Sequence, residues 1–215
     1  MKKLLAFGAS FCALAVAAHA ADLAPVTMDT SKWFVHLGAA GVFFDSHANS
    51  TTPALLPAQD VIVTDNITPT IEIGRYVTDR VSFSLSAGLP PTNELWGTFN
   101  GNKIAKIGTV NYGSVIAAAQ YHFGIDSRFK PYVGAGVGYN ITLSASPSAP
   151  FPSLSVDNSI GAVLQAGTEF DFSQNVGVFA DVKKMFASTT AHAGPATVNE
   201  RLNPWIVSAG VNFRF

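Results

Sequence analysis

Several ionisable residues fall in phase within alternating stretches of the chain: Glu72, Glu169, Asp171, Asp181, Lys183 and Arg214, with His36 and His122. Gln120 and Gln165 share those faces. Such a set could gate or select a solute, plug a lumen, or act as acids and bases on a substrate. The plug is preferred to the gate, because buried charges must be paired and hydrogen-bonded. Nucleophilic catalysis needs a nucleophile and an oriented base within reach. Ser114 with His36 or His122 supplies the types, but no local motif joins them, so no enzyme is expected. His47 and His192 stand isolated, and no His/Cys/Asp cluster has ligand spacing, so neither metal nor cofactor is expected. The glycines from Gly134 to Gly138 lie inside a strand with no helix following, unlike a phosphate loop.

Residues 204–215 (PWIVSAGVNFRF) indicate what positions these groups. Trp205, Val207, Ala209, Val211, Phe213 and Phe215 make one face; Ile206, Ser208, Gly210, Asn212 and Arg214 make the other. A period of two predicts a β-strand with one apolar and one wet face. A final strand ending on Phe resembles the signal by which outer-membrane barrels are recognised for assembly, with Phe213 and Phe215 as the residues read. The aromatic face would then meet lipid and the polar face a narrow lumen.

Bulk properties agree. The 215 residues carry a formal charge of −1, too balanced to suggest nucleic acid, and allow one β domain with a full core. Only 13% of residues are charged, against roughly 25% in ordinary soluble domains. Mean hydropathy is +0.27, yet no mature segment is apolar over the ~18 residues that a transmembrane helix needs. At the start, Lys2 and Lys3 precede an apolar stretch from Leu4 to Ala18 and a small-x-small site, Ala18-His19-Ala20. Residues 1–20 thus read as a cleaved signal peptide and 21–215 as one barrel domain. Cys12 leaves with the leader, so no disulfide is expected, and Phe11 before it argues against lipid attachment.

In order, alternation places strands from Trp33 to Phe44, Pro69 to Val77, Val81 to Gly88, Gly108 to Phe123, Pro131 to Leu143, Ile160 to Phe172, Val176 to Ala187 and Pro204 to Phe215. On the first strand Phe34, Val42 and Phe44 spoil an otherwise polar face. Tight turns lie at Val77–Arg80, Gly124–Lys130 and Ser173–Asn175. Long loops rich in Ser, Thr, Pro and Asn lie at Asp45–Asp65, Leu89–Ile107, Ser144–Asn158 and Ser188–Asn203. Tight and long connections alternate strictly. That predicts an all-β, eight-stranded antiparallel up-and-down transmembrane β-barrel with short periplasmic turns and long external loops.

Several motifs resemble the OmpW family: DNITPTIEIGRYV from Asp65 to Val77 with Thr78-Asp79-Arg80, Ala87-Gly88-Leu89-Pro90-Pro91, Gln120-Tyr121-His122-Phe123, and Lys130-Pro131-Tyr132-Val133-Gly134-Ala135-Gly136. Gln165-Ala166-Gly167, Asp181-Val182-Lys183 and the closing Asn212-Phe213-Arg214-Phe215 match it too. The resemblance covers the whole mature chain. It implies a Gram-negative outer-membrane barrel linked to uptake of small hydrophobic molecules, from outside into an apolar pocket and sideways through the wall into the membrane or periplasm. The expected partners are outer-membrane lipid, lipopolysaccharide, the barrel-assembly machinery and hydrophobic solutes. Leu55, Leu56, Trp96, Phe99 and Phe151 in the loops are candidate solute contacts, with ordinary loop packing as the alternative. Lumen candidates are His36, Glu72, Gln120, His122, Gln165, Glu169, Asp181, Lys183 and Arg214. A structural or adhesive barrel whose loops bind host surfaces or phage is the competing reading, and oligomeric state stays open.

Overall fold

The computed structural model describes residues 32–215 apart from 46, 53–59, 125–126, 150 and 195, with backbone alone over 47–52. The predicted leader, Leu55 and Leu56 lie outside the described residues. Eight strands form a closed antiparallel ring: β1 (Trp33–Phe43), β4 (Asn66–Tyr76), β5 (Val81–Gly88), β7 (Asn102–His122), β8 (Phe129–Pro147), β10 (Ser159–Asp171), β11 (Val176–Ala193) and β13 (Trp205–Arg214). Five more strands stand at the loop end: β2 (His47–Thr52), β3 (Asp60–Val63), β6 (Thr92–Phe99), β9 (Leu154–Val156) and β12 (Ala196–Arg201). First and last strands close the ring from Phe34 opposite Arg214 to Phe43 opposite Trp205. Phe215 joins the ladder, donating its N–H to Trp33 O at 3.0 Å and accepting from Trp33 N at 3.2 Å.

Alternation decides which way each side chain looks. Phe83, Leu85, Val133, Val137, Leu164 and Val178 stand exposed on the outside. Ser82, Ser84, Ser86, Gln120, Gln165 and Asn212 are buried inside. A continuous apolar belt of that kind is stable only against hydrocarbon. Aromatic residues gather at its rims: Trp33, Phe123, Phe129, Phe172 and Phe215 towards the tight turns, Tyr139, Phe186 and Trp205 towards the loops. Arg75 lies 5.4 Å over the Trp33 ring and Lys184 4.8 Å over Trp205, cations seated on the rim aromatics.

The barrel is taller than the sequence pattern predicts, and its long connections are not irregular. β7 runs for 21 residues, β8 for 19 and β11 for 18. At ~3.3 Å per residue and a tilt near 40°, β7 climbs roughly 50 Å, about twice the ~25 Å apolar band. Its upper part therefore stands in water. There β6 pairs with β7, β3 with β6, β9 and β12 with β11, and β2 with β12. The supposed loops hold strands because their polarity inverts. Val61, Leu95, Ile107, Val110, Leu154, Ala191, Ala193 and Val198 turn inwards and form a core of their own. β11 shows the switch within one strand: inward Asp181 and Lys183 give way to Met185, Ala187, Ala191 and Ala193, while the outer row turns to Ser188, Thr190 and His192.

Two glycines show how tightly the lumen is filled. A Cβ on Gly74 would lie 2.0 Å from the Phe34 ring, and one on Gly136 would lie 2.1 Å from Ala117 O. Phe34, which spoils the polar face of β1, has its space reserved by a glycine on the neighbouring strand.

Two outcomes follow from this packing. Leu85→Arg faces lipid near mid-height and should cost about 2–4 kcal/mol in vesicle unfolding titrations, while Ile104→Arg, exposed above the belt, should change stability by less than about 0.5 kcal/mol. Equal costs would refute the height assignment. Gly74→Ala should cost about 1–3 kcal/mol through displacement of Phe34, read in the same titration.

Candidate functional site

The inward residues divide into a polar lower half and an apolar upper half. All nine predicted lumen residues lie inside, each 5% exposed or less. They assemble into two connected layers.

The layer next to the tight turns centres on Glu169. His36 Nε2 lies 3.0 Å from Glu169 Oε1, and Arg214 pairs with Glu169 Oε2. Arg214 also lies 3.4 Å from Asp171 Oδ2, which Lys130 Nζ reaches at 2.8 Å. The His36 ring stacks on Phe179 with centroids 4.2 Å apart. His122 sits between the Tyr76 hydroxyl, 3.1 Å from Nδ1, and Ser82 Oγ, 3.0 Å from Nε2.

The second layer centres on Lys183. Its Nζ lies 3.1 Å from Glu72 Oε2 and 2.5 Å from Asp181 Oδ2. Gln120 Nε2 donates to Glu72 Oε1 at 2.6 Å and to Gln165 Oε1 at 3.2 Å. Gln165 Nε2 and the Tyr132 hydroxyl donate to Asp181 Oδ2 at 2.8 and 3.2 Å. A buried charge that loses its partner costs about 3–5 kcal/mol, so this mesh resists being pulled apart. Lys130, Tyr132 and Tyr76 were missed by sequence reasoning, whereas Asn212 lies on the inward face that the last strand's alternation predicts. Lys130 and Tyr132 stand four and two residues before Gly134 in the same alternation, so running the period of β8 further back would have found them.

Serine and histidine do meet, but through Ser82 rather than Ser114. Ser82 and His122 are both fully buried, and Ser82 Oγ donates to Gln120 Oε1 at 3.1 Å. Ser114 Oγ instead donates to Asn140 Oδ1. His192 contacts Thr197 and lies 3.9 Å from Asp157. Among the described residues no group of three or more His, Cys, Asp or Glu side chains could hold a metal ion.

Above Lys183 lies a cavity of about 110 Å³, several times what one water needs. Its walls are chiefly apolar, with Ala40, Val42, Phe44, Ile116, Met185 and Ile206 from the ring strands. Lys183 and Ser208 mark its lower end, and Leu95, Val110 and Ala191 join it to the outer core. Val42 and Phe44, also out of place in the β1 alternation, are cavity wall. Among the loop candidates, Phe151 packs against that core. Trp96 lies outside the cavity lining, its Nε1 donating to Glu94 Oε2 at 2.9 Å with Lys103 Nζ 5.3 Å over its ring. Phe99 is exposed beside the Asn100-Gly101 hairpin turn. Phe213 faces outwards, and Phe215 is exposed on the outer rim.

The cavity also reaches the wall. The ladder between β5 and β7 ends at Ala87 opposite Val115, and that between β6 and β7 begins at Thr92 opposite Asn111. Gly88–Pro91 and Tyr112–Ser114 face each other between these ends. Pro90 and Pro91 have no N–H to give. Their carbonyls accept instead from Asn111 Nδ2, both at 3.2 Å, and Leu89 O accepts from Thr68 Oγ1 at 2.5 Å. Ala87, Leu89 and Pro91 all border the cavity, and Leu89 is 64% exposed on the outside.

Comparison with known proteins places this architecture. The sequence profile of the OmpW family matches residues 29–215. An uncharacterized outer-membrane protein of Sinorhizobium fredii is 31% identical over 98% of this chain and 94% of its own. The crystal structure of OprG from Pseudomonas aeruginosa shares the fold with a TM-score of 0.78 at 17% identity, covering 87% of this chain and 97% of OprG. AlkL, solved in lipid bilayers, superposes with a TM-score of 0.68 at 22% identity, over 91% and 95% of the two chains. A ring of eight strands, an apolar belt and a profile match across nearly the whole described chain converge on one assignment: the chain belongs to the OmpW family and is a Gram-negative outer-membrane barrel.

Proposed function

We propose that this barrel carries small hydrophobic molecules from the outside into the outer membrane, taking them into the upper cavity and releasing them sideways between β5 and β7. The observation that carries this reading is the shape of the cavity, bounded below by a paired charge network and bordered at the side by residues that face lipid. An eight-stranded barrel is only wide enough for its own side chains, which argues against a straight aqueous path. The lumen charges act as a plug. A hydrophobic solute gains on the order of 0.8 kcal/mol per methylene on passing into hydrocarbon, so sideways release runs downhill. At the seam, opening exchanges the side-chain hydrogen bonds from Asn111 to the Pro90 and Pro91 carbonyls rather than a run of ladder bonds.

Closing the seam tests the route. A Cβ at Gly113 would lie 3.6 Å from Pro90 Cγ, so the two positions adjoin across the seam and suit a cysteine pair. Oxidised Pro90→Cys/Gly113→Cys protein should lower octane uptake to that of a gene-deletion strain, with reductant restoring it. Full uptake through the cross-linked barrel would overturn lateral release. Equal octane uptake with and without the gene would overturn transport and favour a structural or adhesive barrel. We further propose that Phe215 is read by the assembly machinery: its deletion should lower outer-membrane levels severalfold in fractionated cells, and unchanged levels would contradict that role.

A further inference from the structure

The geometry points to a preference within the hydrophobic solutes: we propose that the cavity favours uncharged amphiphiles with one hydrogen-bond acceptor, such as medium-chain alcohols, ketones or esters, over plain hydrocarbons, and that the Tyr112 hydroxyl holds the acceptor oxygen. This inference rests on the transport reading above and specifies its cargo.

Tyr112 borders the cavity, and its hydroxyl is buried with no hydrogen-bond partner among the described residues. A buried hydroxyl without a partner is costly, and a solute oxygen would relieve that cost. Phe44 meets the ring edge-on with centroids 6.0 Å apart, which limits where the hydroxyl can swing. Four other hydroxyls bordering the cavity are committed: Thr68 donates to Leu89 O, Thr70 to Ala87 O at 3.1 Å, Ser114 to Asn140 and Thr189 to Asp157 O at 2.7 Å. Tyr112 belongs to the stretch of β7 that borders the seam, so it would hold the polar end at the exit while the chain lies against the apolar wall.

Charge sets the other limit. Lys183, the cation bordering the cavity, already contacts the carboxylates of Glu72 and Asp181. Asp157 and Glu200 border the cavity as well. Among the described residues an anionic head would meet carboxylates and no spare ammonium, so fatty carboxylates are rejected where their alcohols and esters are accepted.

Uptake of 1-octanol, octane and octanoate at pH 7.5 distinguishes these possibilities in a deletion strain carrying the wild-type gene, Tyr112→Phe or no gene. Wild type and variant are matched in outer-membrane level, with heat-modifiable mobility reporting a folded barrel. Tyr112→Phe should slow gene-dependent octanol uptake about fivefold, the scale of one hydrogen bond, and leave octane unchanged. Octanoate should enter no faster than without the gene. Unchanged octanol uptake in the variant, an equal loss for octane, or gene-dependent octanoate uptake matching octanol would each overturn the inference while transport stands. No gene-dependent uptake of any probe would overturn transport and the inference together.

Discussion

The whole molecule depends on closing a hydrogen-bond ladder in a medium that offers no substitute partner. Each backbone group left open in hydrocarbon costs several kcal/mol, so the first strand must find the last. The pairing of Phe34–Phe43 with Trp205–Arg214 achieves this. With eight strands the resulting cylinder is narrow, and its interior must be filled by the chain itself. Glycines at 74 and 136 make the filling possible, because their neighbours come closer than any side chain would allow. Small residues on the inside are thus a requirement of closure rather than a mark of a pore.

Filling a narrow lumen with charges is tolerable only if they satisfy one another. Glu169 is held by His36 and Arg214, and Lys183 by Glu72 and Asp181, so the lower half is a mesh rather than a channel. Above it the same wall encloses apolar space. The change occurs along single strands, as from Lys183 to Met185 on β11, with no break in the ladder to β10. One cylinder therefore provides a barrier below and a compartment above. The interruption between β5 and β6 along β7 lies where that compartment borders the wall.

Much of this was legible in the sequence. Alternation identified all eight ring strands, weakest on β1, and it set in phase the charges that the fold brings together with Gln120 and Gln165. The upper storey was not legible, for a physical reason. In lipid the apolar row looks out, but in water it looks in, so a strand crossing the interface changes phase and its pattern reads as noise. The clearest signal there was Asn100-Gly101, read as part of a loop; both residues have positive φ, 49° and 78°, which two-residue hairpins favour, and they join β6 to β7. The three apolar residues that disturbed β1 had the same origin. Phe34 fills the space opposite Gly74, and Val42 and Phe44 line the cavity. The unpartnered hydroxyl of Tyr112 depends on which groups the folded chain brings near it, and no local pattern reports that.

The outer storey has a consequence for how the cell surface can vary. Because its strands bury alternate residues in a shared core, an antibody or a phage fibre meets only every second side chain of β11 and β12. Thr190, His192 and Asn199 lie on the outer row, while Ala191, Ala193 and Val198 are held by the packing beneath them. Surface identity can therefore change at alternate positions while the shape of the vestibule is preserved.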